Sequence, residues 1–444
     1  MSLLRNLASM VTKPKPPVGT TPAEVIHREN KWRLLRYRPA AGGPKFATPV
    51  LLVPSLINRH YVMDLLPGKS MAEDLVKTGH DVYCLDWGTP GPEDRHLTFD
   101  DICDRYLGRA IRKVAKLSPR GKTHVLGYCL GGTLATIHAS VHQEHIASLL
   151  VLAAPVGFNG DQGLLEVWTK SSSFQVSDIV DAFGNVPWQL MQSAFTMLRP
   201  TLPLSKAVHV VDKALKDDPV NANKWSEFSE GFRALEAWGN DNVSFPGACF
   251  VRYIEELYRK DALLSGTFSL SGQPALLENI KVPTMSIVFE HDNIVPWRNA
   301  AVLVDKIAST DKQLLRLPGG HVGAVVSRSA QKSLWPKLSS FWSTRDADAK
   351  KPAATLNGYA NGHANGHANG HANGHANGHA YMPVPAAGPA PVSARDAVPA
   401  PAPAPVIPAA ARAPAPSAAR TPEPVPVRAK SSKRSRSSTR SGSR

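Results

Sequence analysis

Cysteine is scarce in this chain, long apolar runs are missing, and acids and large apolar residues nearly vanish towards its end. Each scarcity excludes something. Only four cysteines occur in 444 residues, Cys84, Cys103, Cys129 and Cys249, and none forms a Cys-x-x-Cys pair. That spacing argues against a cysteine zinc site and a disulfide framework, and it fits a reducing compartment. No stretch approaches the roughly 20 apolar residues that a membrane-spanning helix needs. The opening "MSLLRNLASMVTKPKPPVG" is too short and too interrupted in its apolar part for a signal peptide. A soluble, cytoplasmic protein is expected.

Composition divides the chain near residue 345. Before that point apolar runs alternate with charged helical patterns. Beyond it Ala, Pro, Gly, Ser and Arg dominate, and nothing there can build a core. Residues 1–21 read as an N-terminal segment, 22–345 as one sizeable α/β domain, and 346–444 as a disordered low-complexity tail. The tail has three parts. Residues 357–380 carry a four-residue Asn-Gly-containing repeat with five histidines, residues 381–427 an Ala/Pro-rich spacer, and residues 428–444 a basic end. Repeated Asn-Gly favours turns, so the histidines read as a linker rather than a metal site. From Asp346 onward there are 12 Lys/Arg against 4 Asp/Glu, about half of the net charge of +15. The seven basic residues from Arg428 suit non-specific phosphate contact with nucleic acid, or simple solubility.

Within the domain, "TPVLLVPSLIN" (48–58), "DVYCLDWG" (81–88), "HVLGY" (124–128) and "IASLLVLAAPV" (146–156) read as buried strands. Helical patterns lie between them: "SMAEDLVKTGH" (70–80) and "TFDDICDRYLGRAIRKVAKL" (98–117), the latter with Thr98 and Asp101 as a capping pair. From about 157 to 275 the alternation breaks into an aromatic-rich stretch, long enough for a helical cap. It resumes with "KVPTMSIVFEHD" (281–292), "KQLLRLPGGH" (312–321) and a last helix with Pro336 in its first turn. Strand–helix alternation implies a mainly parallel sheet.

Chemistry concentrates at "LGYCLGG" (126–132). A strand, a Gly-x-Cys-x-Gly turn and a helix make the layout of a nucleophile elbow, with Gly127 and Gly131 leaving room for close backbones. A thiol needs a base, and the base an orienting acid. In chain order Asp292 follows one late strand and His321 another, behind Pro318-Gly319-Gly320. The three positions agree with an α/β-hydrolase fold carrying an inserted cap and a Cys129–Asp292–His321 triad. Asp86 is the rival acid and His291 the rival base. His138, His142 and His145 read as solvated. Oxyanion donors fall to the Leu130 N–H and to an amide in Leu56–Asn58, for which Ile57 is taken.

These residues resemble the polyhydroxyalkanoate synthases. "LGYCLGGTLA" is similar to that family's cysteine lipase box, and "VPSLINRHYVMDL", "DVYCLDWGTPG", "FGNVPWQL", "WGNDNVSFPGACF", "EHDNIVPW" and "GGHVGAVV" resemble its other blocks in order, over roughly Pro22 to Trp342. The resemblance implies Cys129 as acyl carrier, His321 as base, and Asp292 as the acid associated with activating the substrate hydroxyl. It implies polymerisation of (R)-3-hydroxyacyl-CoA, with 3-hydroxybutyryl-CoA the expected monomer, and no cofactor or metal. Coenzyme A enters only as the thioester substrate. It also implies a polyester granule surface, a homodimer and a smaller synthase partner subunit. The short N-terminus is similar to the two-subunit synthases, whereas "WGNDNVSFPG" looks more like the long single-subunit kind. A thioesterase or an intracellular polyester depolymerase would need the same triad. A non-catalytic granule or nucleoid tether would not. Trp188, Phe195, Trp238, Phe245 and Phe250 are cap residues that would exclude water or simply pack.

Overall fold

A computed structural model describes residues 2–160, 164–198, 200–216 and 222–346. The repeat, the spacer and the basic end of the tail lie outside the described residues.

Eight strands form one sheet: β1 (Ala23–Glu29), β2 (Trp32–Tyr37), β3 (Val50–Val53), β4 (Val82–Asp86), β5 (Thr123–Tyr128), β6 (Ile146–Leu152), β7 (Thr284–Phe289) and β8 (Lys312–Leu317). Their order is β1-β2-β4-β3-β5-β6-β7-β8. From β4 to β8 every pairing is parallel, and β2 alone runs against both its neighbours. The short apolar runs become the central strands because they are covered on both faces. Every residue of β3, β4, β5 and β7 is buried, as parallel strands between two helical layers require. One apolar layer gathers Leu51, Tyr83, Val125, Leu134 and Leu149 on one side of the sheet, and another gathers Val50, Leu52, Leu126, Leu150 and Trp342 on the other. The edge strand β8 is largely exposed and carries Lys312 and Arg316, which discourages pairing with another chain.

Between β6 and β7 the chain forms helices Leu164–Lys170, Val176–Phe183, Trp188–Met197, Leu202–Leu215, Ala222–Gly239 and Gly247–Arg252. The final helix, Trp335–Ser343, has Pro336 in its first turn. Just beyond it Asp346 is buried and accepts from the Thr48 N–H at 3.2 Å and the Thr48 hydroxyl at 2.7 Å, tying the end of the described chain to the entry of β3.

Several features depart from the sequence expectation. The N-terminal segment contains a helix, Ser2–Thr12, that lies on the cap: Asn6 Nδ2 donates to Ala214 O at 3.3 Å and Trp225 Nε1 to Ser9 Oγ at 3.2 Å. The β1–β2 hairpin was also not expected. Its alternation is masked by charged residues, and its turn is signalled only by Asn30, at φ 48°. The pattern at 98–117 does start with the Thr98–Asp101 cap, in which the Asp101 N–H donates to Thr98 Oγ1 at 3.1 Å and the Thr98 N–H to Asp101 Oδ2 at 2.9 Å. Residues Asp101–Leu107, however, wind as a π-helix before the α-helix Gly108–Leu117.

His138 corrects another expectation. It is buried rather than solvated, so close to Gly108 that a β-carbon there would come within 2.7 Å of its ring. Burial, reinforced by the neighbouring His142, lowers its pKa to about 4 and keeps it neutral. His142 and His145 are partly exposed.

Candidate active site

Cys129 stands between β5 and helix Leu130–Val141 at φ 53° and ψ −133°, a conformation that L-residues rarely adopt. Its N–H donates to Leu152 O at 3.0 Å, and its carbonyl accepts from Gly132 N at 2.8 Å. The strain is held in place by close backbone packing. A β-carbon at Gly131 would meet Val53 O at 2.2 Å and Pro54 O at 2.3 Å. One at Gly127 would meet the Gly132 Cα at 2.4 Å, and one at Gly132 the Ala154 side chain at 2.5 Å. Gly132 is thus a third obligatory glycine beside the two that the motif singles out. Gly131→Ala must displace backbone, and a loss of about 3 kcal/mol is expected, read from the urea midpoint at unchanged m-value.

The elbow raises the thiol above the sheet, and Cys129 is partly accessible while Cys84, Cys103 and Cys249 are buried. Burial pushes all three of those thiols up, so they stay protonated and inert. Cys129 is the N-cap residue of helix Leu130–Val141.

Asp292 and His321 converge on the same rim. Asp292 closes the turn after β7, where its Oδ1 accepts from the Ile294 N–H at 2.9 Å and the Val295 N–H at 2.8 Å. Those two bonds leave Oδ2 to accept from His321 Nδ1 at 2.8 Å. His321 follows β8 through Gly319, at φ 119°, and the Gly319 carbonyl accepts from the His291 N–H at 2.9 Å, which ties the two loops together. The imidazole lies against Tyr128, ring centroids 5.2 Å apart. Burial disfavours the imidazolium. The Asp292 and Cys129 charges and their hydrogen bonds to the ring outweigh it and raise the His321 pKa to about 10. With Nδ1–H committed to the carboxylate, Nε2 is the nitrogen left to exchange a proton with the sulfur.

The rivals sit elsewhere. His291 is exposed. Asp86 is buried, pairs with Arg33 and with His60 Nδ1 at 3.3 Å, and accepts from the Gly88 N–H at 3.0 Å. Burial opposes its charge, but these partners win and hold the carboxyl well below the usual range.

Of the proposed oxyanion donors, Leu130 N–H opens the elbow helix and Ile57 lies in the loop after β3. Neither amide donates to an acceptor among the described residues. The Asn58 N–H is turned back to Ser55 O at 3.5 Å.

Trp238 and Phe245 are buried, and Trp188, Phe195 and Phe250 partly so. Two aromatic residues escaped the sequence reading. The helix continues from Arg252 into a π-helix, Tyr253–Arg259, whose wider turn brings residues five apart onto one face. The Tyr253 and Tyr258 centroids are 5.4 Å apart, and both rings touch Phe158. Burial, and secondarily charge on neighbours that include Cys129, raises both phenols. Among the described residues no group of three or more His, Cys, Asp and Glu is placed to hold a metal ion.

Two family profiles match this chain: the α/β-hydrolase fold over residues 48–326, and the N-terminus of poly-β-hydroxybutyrate polymerase (PhaC) over residues 15–74. The poly(3-hydroxyalkanoate) polymerase subunit PhaC of Haloarcula marismortui is 32% identical over 340 residues, 75% of this chain and 70% of that one. The protein of the same name from Allochromatium vinosum is 32% identical over 329 residues, 74% of this chain and 90% of that one. The chain belongs to the poly(3-hydroxyalkanoate) polymerase family. The Cupriavidus necator member is 28% identical over 352 residues, and this chain covers 56% of it. A lipase structure from Sulfolobus solfataricus aligns with a TM-score of 0.49 at 15% identity, over 75% of this chain and 98% of that one.

Proposed function

We propose that this chain is the catalytic subunit of a polyhydroxyalkanoate synthase and that it polymerises (R)-3-hydroxyacyl-CoA through a thioester on Cys129. The observation that carries the reading is a partly accessible thiol on a strained elbow, facing a buried His321–Asp292 pair, in a chain of the polymerase family.

The chemistry follows from those three groups. His321 Nε2 holds the proton drawn from Cys129, and the thiolate so formed attacks the thioester carbonyl. The oxyanion is met by Leu130 N–H and Ile57 N–H. Collapse expels the coenzyme A thiolate, which leaves with the proton from His321, and the acyl group remains on Cys129. The 3-hydroxyl of the next unit then loses its proton to the His321–Asp292 pair and attacks the acyl thioester. One ester forms, one carbon–sulfur bond breaks, the Cys129 sulfur takes back the proton from His321, and the lengthened chain, now a coenzyme A thioester, returns to Cys129 by the first step. Exchange between two thioesters is nearly balanced, so the chain stays activated between additions. A serine ester would dissipate that activation. Asp292 holds the imidazole and stabilises its charge in both halves.

A polyester granule surface, a homodimer and a smaller partner subunit belong to this reading. The word "subunit" in the relatives' name supports the last of them. Among the described residues no helix is long and apolar enough to cross a membrane.

The test is to incubate the purified full chain with 3-hydroxybutyryl-CoA, with and without candidate partner subunits, while following free thiol and turbidity together. Thiol release with rising turbidity and an insoluble polyester is expected. Thiol release with only monomeric acid in solution overturns the polymerase reading in favour of a hydrolase.

A further inference from the structure

The loop after β3 is fastened from two directions. On the core side Trp87 Nε1–H donates to Pro54 O at 3.0 Å, and that carbonyl lies against Gly131 of the elbow helix. Leu56 and Ile57 then turn inward and are buried. The next fastening comes from the cap. The Val243 N–H donates to Ile57 O at 3.2 Å. Asn58 and Asn242 form an isolated antiparallel bridge, in which Asn58 Nδ2 donates to Asn242 Oδ1. Trp238 Nε1–H donates to Arg59 O at 2.9 Å. Asp241 accepts from Arg59 Nε at 3.0 Å through one oxygen and from the Tyr61 hydroxyl at 2.7 Å through the other. Arg59 and His60 keep contacts of their own with the core, at Thr89 and Asp86.

The same cap segment is bound into the rest of the cap. Val186 and Phe245 exchange N–H···O bonds of 2.9 and 3.0 Å. Asn242 Nδ2 donates to Gln192 Oε1 at 2.8 Å and to Gly239 O at 2.9 Å. One side chain, Asn242, therefore touches both the loop and the helix Trp188–Met197.

The Pro54 and Ile57 carbonyls fix the Pro54–Ser55 and Ile57–Asn58 peptide units; of the two units between them, one has its Ser55 carbonyl held by the Asn58 N–H at 3.5 Å and the other carries the Ile57 N–H. The direction of the Ile57 N–H is then set by the anchors, and one of them belongs to the cap. We infer that the cap segment Trp238–Phe245 is a clamp that orients the Ile57 amide towards the Cys129 site, with Asn242 and Asp241 as positioning residues. Seating the cap completes the oxyanion site, and lifting it dismantles that site while leaving sulfur, imidazole and carboxylate in place. Acyl transfer is thereby coupled to cap position, and a Cys129 exposed by an open cap is protected from wasteful acylation. The inference rests on the acyl-transfer reading of Cys129, but not on the product being polymer.

Two reactions of the same sulfur separate the clamp from a general disturbance. Alkylation of Cys129 by iodoacetamide is displacement at a saturated carbon and develops no oxyanion. Acylation by 3-hydroxybutyryl-CoA does develop one. In Asn242→Ala the first-turnover thiol release is expected to fall about 10- to 100-fold, part of the 10²–10³ that a lost oxyanion donor costs. KM should change less than about threefold, and alkylation less than about twofold. Asp241→Asn, of unchanged shape, is the second variant should Asn242→Ala melt, and a smaller loss in the same direction is expected. Wild-type acylation in both variants overturns the clamp. So does an equal loss of alkylation and acylation, which would mean that the whole site had shifted. Free acid in place of polymer overturns the polymerase reading and leaves the clamp to be judged by the acylation rates.

Discussion

Replacing Cys129 with alanine is expected to abolish thiol release from 3-hydroxyacyl-CoA, lowering turnover by about 10⁴-fold or more. No other thiol can substitute, because Cys84, Cys103 and Cys249 are buried. The fold should survive. The strained backbone at 129 is imposed by the Leu152 carbonyl and by the crowding of Gly131 and Gly132 against their neighbours, not by the sulfur. Polymer accumulation in cells carrying Cys129→Ala, set against wild type at equal protein level, is the measurement. Unchanged accumulation would remove the sulfur from the mechanism. Cys129→Ser should not rescue polymer formation, and any acyl group it accepts should leave as free acid.

The second large effect belongs to Asp292→Asn. In the wild type, burial works against a charged His321, and the Asp292 and Cys129 charges overcome it, raising the ring to about 10. Asparagine keeps the shape but withdraws the carboxylate charge, so burial regains weight and the His321 pKa falls. Activity is expected to drop about 10³- to 10⁴-fold, as when an orienting carboxylate is lost from a triad.

The sign of the pH effect on stability follows from the raised value. A proton held more tightly by the folded state contributes stability that is fully present below the ordinary 6.5 and is lost as pH rises through about 10. Urea midpoints of the wild type should therefore decline between those limits, and Asp292→Asn should lose most of that dependence. Histidine resonances followed by NMR give the direct check. An unmoved His321 titration in the variant would show that the carboxylate does not govern the ring.

How much could be read from the residues differs by feature. The central strands were legible because they are short, apolar and bounded by turns, and their burial on both faces leaves no alternation to misread. Cys129, Asp292 and His321 were legible as candidates because each sits on a turn with its own signature: glycines around Cys129, a strand ending at Asp292, and Pro318-Gly319-Gly320 before His321. The β1–β2 hairpin was not, since its exposed edge carries Glu24, Arg28 and Glu29 and hides the alternation. His138 was misread because neighbouring histidines on a helix look solvated. Only the close crossing of Gly108 shows that this one is buried. Tyr253 and Tyr258 were missed because their contact requires a π-helix, and a spacing of five places residues on different faces of an ordinary helix.

Gly131→Ala and Asn242→Ala probe that boundary from opposite ends. The first tests a glycine whose need is written in the elbow motif. The second tests an asparagine whose role depends on a loop more than 180 positions earlier in the chain.

The sequence by itself determined the parallel sheet, the elbow and the order of sulfur, carboxylate and imidazole, because backbone sterics and apolar patterning act over a few residues and leave local marks. Only the tertiary structure decided that Asp292 rather than Asp86 faces His321, and that the cap segment around Asn242 grips the loop carrying Ile57. Those choices are made by hydrogen bonds between segments distant in sequence, whose partners are known only when the sheet and the cap have brought them together.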